Sequence, residues 1–511
     1  MRGEPGESAR AVLLRMPPCH QSYASVTRRL RAWEAATLGP LMLPSSLLEA
    51  TTLHLGMPEM LRPVVQRLAS CNEGRGFGDL NLVAVGASVT YGHGMRDQAM
   101  AWPAILERAL REIWGMDNVH VTNAAIPATS AQFAELCLDT LVRADADVVF
   151  IEYAHTSRRE DQIAPLIDAV TDRGAVPFGV DYTHLLKGPP AAWRACQGRT
   201  PGRTKDGRVC TLATHGMIQR PEKLEIPRRA FTSRSLPIVS SDPLLRWFRG
   251  KLSSVQPAPT FSDLARLMTR DGLHATHYYH RFLAAMVVRA LWQVHRESEA
   301  ASWSQAVLAV GSQAQRRPRQ LLSKPVCAIG HSLEKLRAGI GTTVDDGWHL
   351  LTENDKTGLA ATVPGSELTL RLPRGASFAS SRVYLTYLRS YAHMGTARLS
   401  CSGACACETA TYDAHTVRNT SLAFTGPAVL LLSRARGEQP RAAATVCTLR
   451  LRVLEGTRSG EHKFKLMALT VVPPQLADAQ KGGGSSMGQK RIAMLNAELM
   501  THVLNSSWRR A

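Results

Sequence analysis

Between Asn81 and about Glu297, short β-rich runs alternate with segments of helical apolar spacing, and this alternation limits the fold more than any other feature of the chain. Asn81–Val85, Val119–Asn123, Asp147–Tyr153 and Ala175–Asp181 are β-rich, whereas Trp102–Trp114, Ser130–Arg143, Gln162–Asp172 and Thr276–Val294 repeat apolar residues at helical intervals. Repeated strand–helix units predict an α/β domain of three layers, a parallel sheet flanked by helices. Ligands bind such sheets beyond the carboxyl ends of the strands, so chemistry-bearing residues should be sought there.

Two short motifs sit at that rim. Gly86-Ala87-Ser88-Val89-Thr90 follows the apolar run Leu82-Val83-Ala84-Val85 directly and puts a serine hydroxyl at a strand tip. Asp271-Gly272-Leu273-His274 precedes the last helical pattern and supplies a carboxylate and an imidazole three positions apart. Serine is a poor nucleophile until an imidazole takes its proton, and the imidazole needs a carboxylate to fix its tautomer and stabilise its charged form. The expected roles are Ser88 as nucleophile, His274 as general base and acid, and Asp271 as orienter. The nucleophile elbow of α/β-hydrolases requires Gly-x-Ser-x-Gly, and Thr90 stands at its last position.

Over roughly residues 80 to 295 the chain resembles the SGNH (GDSL-like) hydrolase family. Gly86-Ala87-Ser88 with Val89-Thr90-Tyr91-Gly92 is similar to the first family block, with Ala87 where the eponymous Asp often sits, and Asp271 and His274 match the last block. Val121–Ser130 resembles the second block, and Val148–Ser157 is where the third is expected. The resemblance implies an oxyanion hole built from Ser88, Ala128 and Thr156. Two of these depart from the family: Ala128 replaces a Gly that donates its backbone N–H, and Thr156 replaces an Asn that donates a side-chain amide. Ala128 still carries an N–H, so that change is tolerable if its turn does not need a positive φ, and Thr156 offers a hydroxyl on a shorter arm.

Beyond residue 300 the texture changes. Short strand patterns at Glu367–Leu372, Arg382–Leu388, Thr396–Ser400, Val429–Ser433, Thr445–Leu454 and Lys463–Val472 predict an antiparallel β-sandwich-like domain. It resembles the C-terminal β domain of SGNH-type proteins of algae and plants through Gly347-Trp348, Tyr387–Tyr391, Met394-Gly395 and His462–Lys465. Trp348, Tyr387 and Tyr391 are candidates for stacking on sugars, although core packing is the commoner fate of aromatics in such strands. The expected organisation is a partly disordered leader (1–75), a hydrolase domain (76–300) with a basic loop insertion (187–251), a linker (301–325), a β domain (326–475), and a flexible tail with a short helix (476–511).

The 511 residues carry a net charge of +19. About half of it lies in the insertion, where 14 Lys/Arg face 4 Asp/Glu. A solvated basic loop is the simpler account, and attraction of an acidic polysaccharide the sharper one. No nucleic-acid-binding motif accompanies the charge, and no run of about 18 apolar residues predicts a transmembrane segment. Cys401, Cys405, Cys407 and Cys447 have no standard zinc spacing, so no metal or cofactor is expected, and disulfides are, including one from Cys447 to the Cys401 group. Cys196 and Cys210 could close the basic loop in the same way. With the sequons at Asn419 and Asn505, this favours a secreted or endomembrane-lumen location, although no signal peptide is recognisable.

The expected function is therefore an esterase or deacetylase acting on a carbohydrate or other small ester. An O-acyltransferase with the same triad, or a non-catalytic carbohydrate-binding protein, are the alternatives.

Overall fold

A computed structural model describes residues 22–39, 43, 45–69, 79–154, 156–157, 160–183, 185, 225–249, 260–269, 271, 273–300, 325–337, 347–372, 380–417, 421–433 and 446–474. Residues 301–324 of the linker, the tail, both sequon asparagines, Cys196, Cys210 and most of the basic insertion lie outside these residues.

The first unit is built on a six-stranded sheet ordered β1-β6-β5-β4-β2-β3. Its strands are β1 (Thr52–His54), β2 (Leu80–Gly86), β3 (Val119–Asn123), β4 (Val148–Glu152), β5 (Val176–Asp181) and β6 (Ile238–Ser240). All neighbours pair in parallel except β1, which caps the edge antiparallel to β6. All seven residues of β2 are buried, as expected for a central parallel strand covered on both faces. The two-residue period divides its side chains between two cores. Leu82 and Ala84 join Phe150 and Phe178 under helices Trp102–Trp114 and His277–Ala300. Val83 and Val85 join Val149 and Ile151 under helices Ala131–Leu136 and Glu160–Asp172. This is the expected three-layer α/β fold.

Two expectations about its limits need correction. Residues 23–69 are not a leader apart from the domain: helices Tyr23–Leu38 and Pro58–Ala69 bury Val26, Leu30, Trp33, Leu61 and Val65 in the same core as the sheet. The Trp292 indole donates to Thr27 Oγ1 at 3.0 Å, which ties the first of these helices to the last one. Within the basic stretch, helix Glu225–Thr232, β6 and helix Asp242–Phe248 are integral, because β6 pairs with β5 and carries the edge strand β1. Three-residue strands offer too little periodicity to be seen in sequence.

The second unit is a β-sandwich. One sheet is ordered β10-β17-β12-β14, from Glu367–Arg371, Cys447–Val453, Thr396–Gly403 and Ala410–Asp413. The other is ordered β13-β16-β11-β18-β9-β8, from Cys405–Cys407, Val429–Ser433, Arg382–Arg389, Phe464–Val472, Lys356–Ala361 and His349–Glu353. Two further strands extend it, β7 (Val326–Ile329) on β18 and β15 (Leu422–Thr425) on β11. Disulfides Cys401–Cys407 and Cys405–Cys447 staple its strands, and the second of these is the expected link from Cys447. Trp348 and Tyr387 are only 3 % exposed and pack on Phe464, so they serve the core, whereas Tyr391 is exposed.

All nine residues of β18 are buried, which one sandwich core alone cannot explain for a strand of period two. The other face meets the α/β unit: Ala468 packs with Phe133 and Cys137, and Val472 with Leu136. A disulfide between Cys137 and Cys327 crosses this junction. No described helix is long and apolar enough to cross a membrane.

Candidate active site

Ser88 lies at the carboxyl end of β2, where the chain turns sharply into the single helical turn Ser88–Tyr91. Gly86 makes that turn possible, because a Cβ there would lie 2.4 Å from Thr90 Oγ1 and 3.0 Å from the Glu152 carbonyl oxygen. Gly92, at φ 91°, closes the turn: its N–H and that of His93 donate to the Ser88 carbonyl. Only glycine adopts that conformation without steric cost.

Below the turn, Thr90 Oγ1 donates to the buried Glu152 carboxyl at 3.0 Å and accepts from the Trp102 indole at 3.2 Å. Burial pushes the Glu152 carboxyl up to about 8, against the hydrogen bonds from Thr90 and Ala87 that favour its charged form. Asn123, at the end of β3, donates to the Thr90 carbonyl at 2.8 Å and accepts from the Ala125 N–H. It thereby couples the serine turn to the following loop. Neither positioning role was assigned from sequence. The strand-end location of Asn123 and Glu152 beside Ser88 was the available signal.

The Asp-x-x-His segment sits in a loop pinched shut by backbone bonds from Thr269 to His274 and from Thr276 to Leu267. Tyr182, just past β5, donates to the Leu273 carbonyl at 3.1 Å and holds this loop to the sheet's rim. The two motifs therefore meet. Asp271 Oδ1 accepts from the N–H groups of Leu273 and His274 and from the Thr269 hydroxyl. Its Oδ2 is left for His274 Nδ1 at 2.6 Å, and His274 Nε2 lies 3.0 Å from Ser88 Oγ.

Burial works to raise the Asp271 pKa, yet the hydrogen bond and charge of His274, with Thr269 and Leu273, hold it well below the usual carboxylate range. An ionised carboxylate only accepts, so Nδ1 carries a proton, and in the neutral ring Nε2 is the free acceptor facing Ser88 Oγ. In that form the nitrogen is placed to accept a hydrogen bond from the Ser88 hydroxyl. In the helix that follows, His277–Ala300, His280 is pulled down to about 3 by burial and by the charges of His274 and His277, so it stays neutral while its Nδ1 accepts from the Trp102 N–H.

Ala128 has φ 68°, so the condition on its turn is not met: the loop needs the left-handed region where the family resemblance expects glycine. L-residues pay about 1–2 kcal/mol to sit there. The carbonyl of this residue accepts from the Ala423 N–H of β15 at 3.0 Å, so the β-sandwich grips the strained residue directly. Among the described residues, no hydrogen-bond partner stands against the N–H groups of Ser88 and Ala128. The Thr156 hydroxyl oxygen is buried and also lacks a partner. These are the three groups that the family resemblance names as oxyanion donors.

A second contact from the β-sandwich reaches His274 through His93. The His93 ring lies 4.4 Å from that of His274, centroid to centroid, with the planes 55° apart. His93 Nδ1 donates to Asp355 Oδ2 at 3.0 Å, and Asp355 belongs to the turn between β8 and β9.

No family model matches the chain, and no curated protein matches it. Among solved structures, a two-domain esterase active on acetylated mannans, crystallised with mannopentaose, is similar to 83 % of this chain and 98 % of its own, at 14 % identity and a TM-score of 0.47. An acetyl xylan esterase is similar to 41 % of this chain and 99 % of its own, at 13 % identity and a TM-score of 0.28. A lipase/acylhydrolase from Enterococcus faecalis is similar to 42 % of this chain and 96 % of its own, at 15 % identity and a TM-score of 0.29.

Proposed function

We propose that this chain is a serine ester hydrolase in which Ser88, His274 and Asp271 form the catalytic triad. The observation that carries the reading is the continuous relay from Ser88 Oγ through both ring nitrogens of His274 to Asp271, at 3.0 and 2.6 Å. Ser88 Oγ attacks the acyl carbon while its proton passes to His274 Nε2. The resulting imidazolium is stabilised through Nδ1–H by Asp271, which stays ionised.

The carbonyl oxygen takes up negative charge and is met by the N–H groups of Ser88 and Ala128 and by the Thr156 hydroxyl. Collapse expels the alcohol, which takes its proton from Nε2. Water, deprotonated by the same nitrogen, then attacks the acyl-serine and releases the acid, restoring Ser88. The substrate class we infer is a carbohydrate or other small ester, because a β-sandwich lies against the rim from which Ser88 projects.

The test is labelling by a fluorophosphonate, which reports an activated serine without knowledge of the substrate, alongside hydrolysis of 4-nitrophenyl acetate. The wild type should be labelled on Ser88 and should turn over the ester, and Ser88→Ala should do neither. Equal behaviour of the two proteins would overturn the assignment.

A further inference from the structure

We propose that the β-sandwich is part of the catalytic apparatus, and that Asp355 is a positioning residue that acts through His93 on the general base His274. The inference rests on the triad reading above and goes beyond it, because it assigns a role in the α/β unit's chemistry to a residue of the other domain.

The physical argument starts from what the triad bonds leave free. Hydrogen bonds at Nδ1 and Nε2 fix two points on the edge of the His274 ring and so define an axis from Asp271 to Ser88. Rotation of the ring about that axis is opposed by the side chain's own bond to the backbone and by contacts on the ring's faces. The His93 ring supplies such a contact at 4.4 Å. Its backbone is held where it starts, by the N–H bond to the Ser88 carbonyl at 2.9 Å. Its ring is held at the other end by Asp355. One residue thereby touches the nucleophile's turn, the base and the second domain.

Asp355 can hold a ring in place because its own hairpin is rigid. Glu353 and Lys356 pair across the end of the ladder, which leaves a two-residue turn. Asn354 and Asp355 lie at φ 49° and 62°, both in the left-handed region. This is the turn type that matches the twist of the strands, and Asn and Asp tolerate it. Both flanks are anchored in the sandwich. Glu353 accepts from Lys463 at 2.6 Å and from Lys465, itself fully buried, at 3.3 Å. Lys356 donates to the Ser421 carbonyl at 3.3 Å, one residue before β15, whose Ala423 holds Ala128. The hairpin and the strand that grip the two sides of the site are thus joined to each other.

Asp355 and His93 are too exposed for their contact to contribute much to stability. The role should therefore appear in catalysis and not in folding. Asp355→Gly removes the carboxylate and suits the left-handed turn, and Asp355→Asn keeps an acceptor for His93 Nδ1–H. In the full-length protein with 4-nitrophenyl acetate, Asp355→Gly should lower kcat about tenfold, a loss typical of a slightly misplaced catalytic group. It should also slow fluorophosphonate labelling of Ser88 by a similar factor, with KM and Tm unchanged. Asp355→Asn should recover most of both rates. Wild-type rates in Asp355→Gly, with the wild type labelled, would overturn the proposal and leave the triad standing. So would an equal loss in Asp355→Asn, or a loss that follows Tm. An unlabelled, inactive wild type would instead remove the triad reading on which the proposal stands.

Discussion

Ala128 offers a measurement in which three energetic effects should nearly cancel. Replacing it with glycine relieves the left-handed conformation, worth about 1–2 kcal/mol. The same change deletes a methyl group from a residue only 7 % exposed, which costs about 0.8 kcal/mol of burial. It also frees the unfolded chain, at about 0.5–1 kcal/mol. The sum lies within about 0.5 kcal/mol of zero on these central values. Ala125 is the internal control: it is equally buried at 7 % exposure and is not left-handed. Ala125→Gly suffers the two losses without the relief, so it should destabilise by about 1.3–1.8 kcal/mol. Urea unfolding followed by tryptophan fluorescence reads both from the shift in midpoint at a common slope. Equal costs at the two positions, within about 0.5 kcal/mol, would refute the claim that Ala128 carries backbone strain. Because the glycine retains its N–H, Ala128→Gly should keep wild-type turnover.

Two further outcomes follow from buried groups around Ser88. Glu152 holds its proton up to about pH 8 in the folded protein and has an ordinary value of 4.5; the folded state therefore binds the extra proton between those values, and stability falls as pH rises across that window, by up to about 1.4 kcal/mol per pH unit. Glu152→Gln cannot titrate, so its Tm measured from pH 5 to 8 should gain steadily on the wild type, and parallel curves would contradict the raised value. If the unpartnered Thr156 hydroxyl serves the oxyanion, Thr156→Val should lower kcat on 4-nitrophenyl acetate by about 10²-fold or less, and Thr156→Asn should raise it. No change in either variant of an active enzyme would remove Thr156 from the oxyanion hole.

The sheet was legible because its central strands are buried on both faces and so are written as unbroken apolar runs, such as Leu82-Val83-Ala84-Val85. The N-terminal helices were not. In Tyr23–Leu38 the core-facing residues are Val26, Leu30 and Trp33, a narrow stripe among Arg28, Arg29 and Arg31 that reads as a charged leader until the helix His277–Ala300 is placed beside it. β1 and β6 are each too short to show alternation, and β6 lies within a stretch whose basic charge suggests a loop. The Cys137–Cys327 bond was equally hidden, since its halves lie 190 residues apart and neither has a neighbouring cysteine to suggest a pairing.

The site shows the same division between what is local and what is assembled. Ser88, Asp271 and His274 could be read because each lies in a short segment whose chemistry is complete within a few residues, down to the Asp271 oxygen that accepts from the Leu273 and His274 N–H groups. What holds those segments at working distance is not local. His93 meets a partner 262 residues further on, and the left-handed Ala128 is secured by a strand of the other domain. An isolated loop would be free to relax Ala128 out of a conformation that costs more than a typical hydrogen bond returns. Here the loop is closed on one side by the Ile126 N–H bond to Gly86 and on the other by Ala423, so relaxation would break contacts in both domains at once. Alanine is tolerable at a left-handed position for that reason, and the loop that carries Ala128 owes its shape as much to the β-sandwich as to its own sequence.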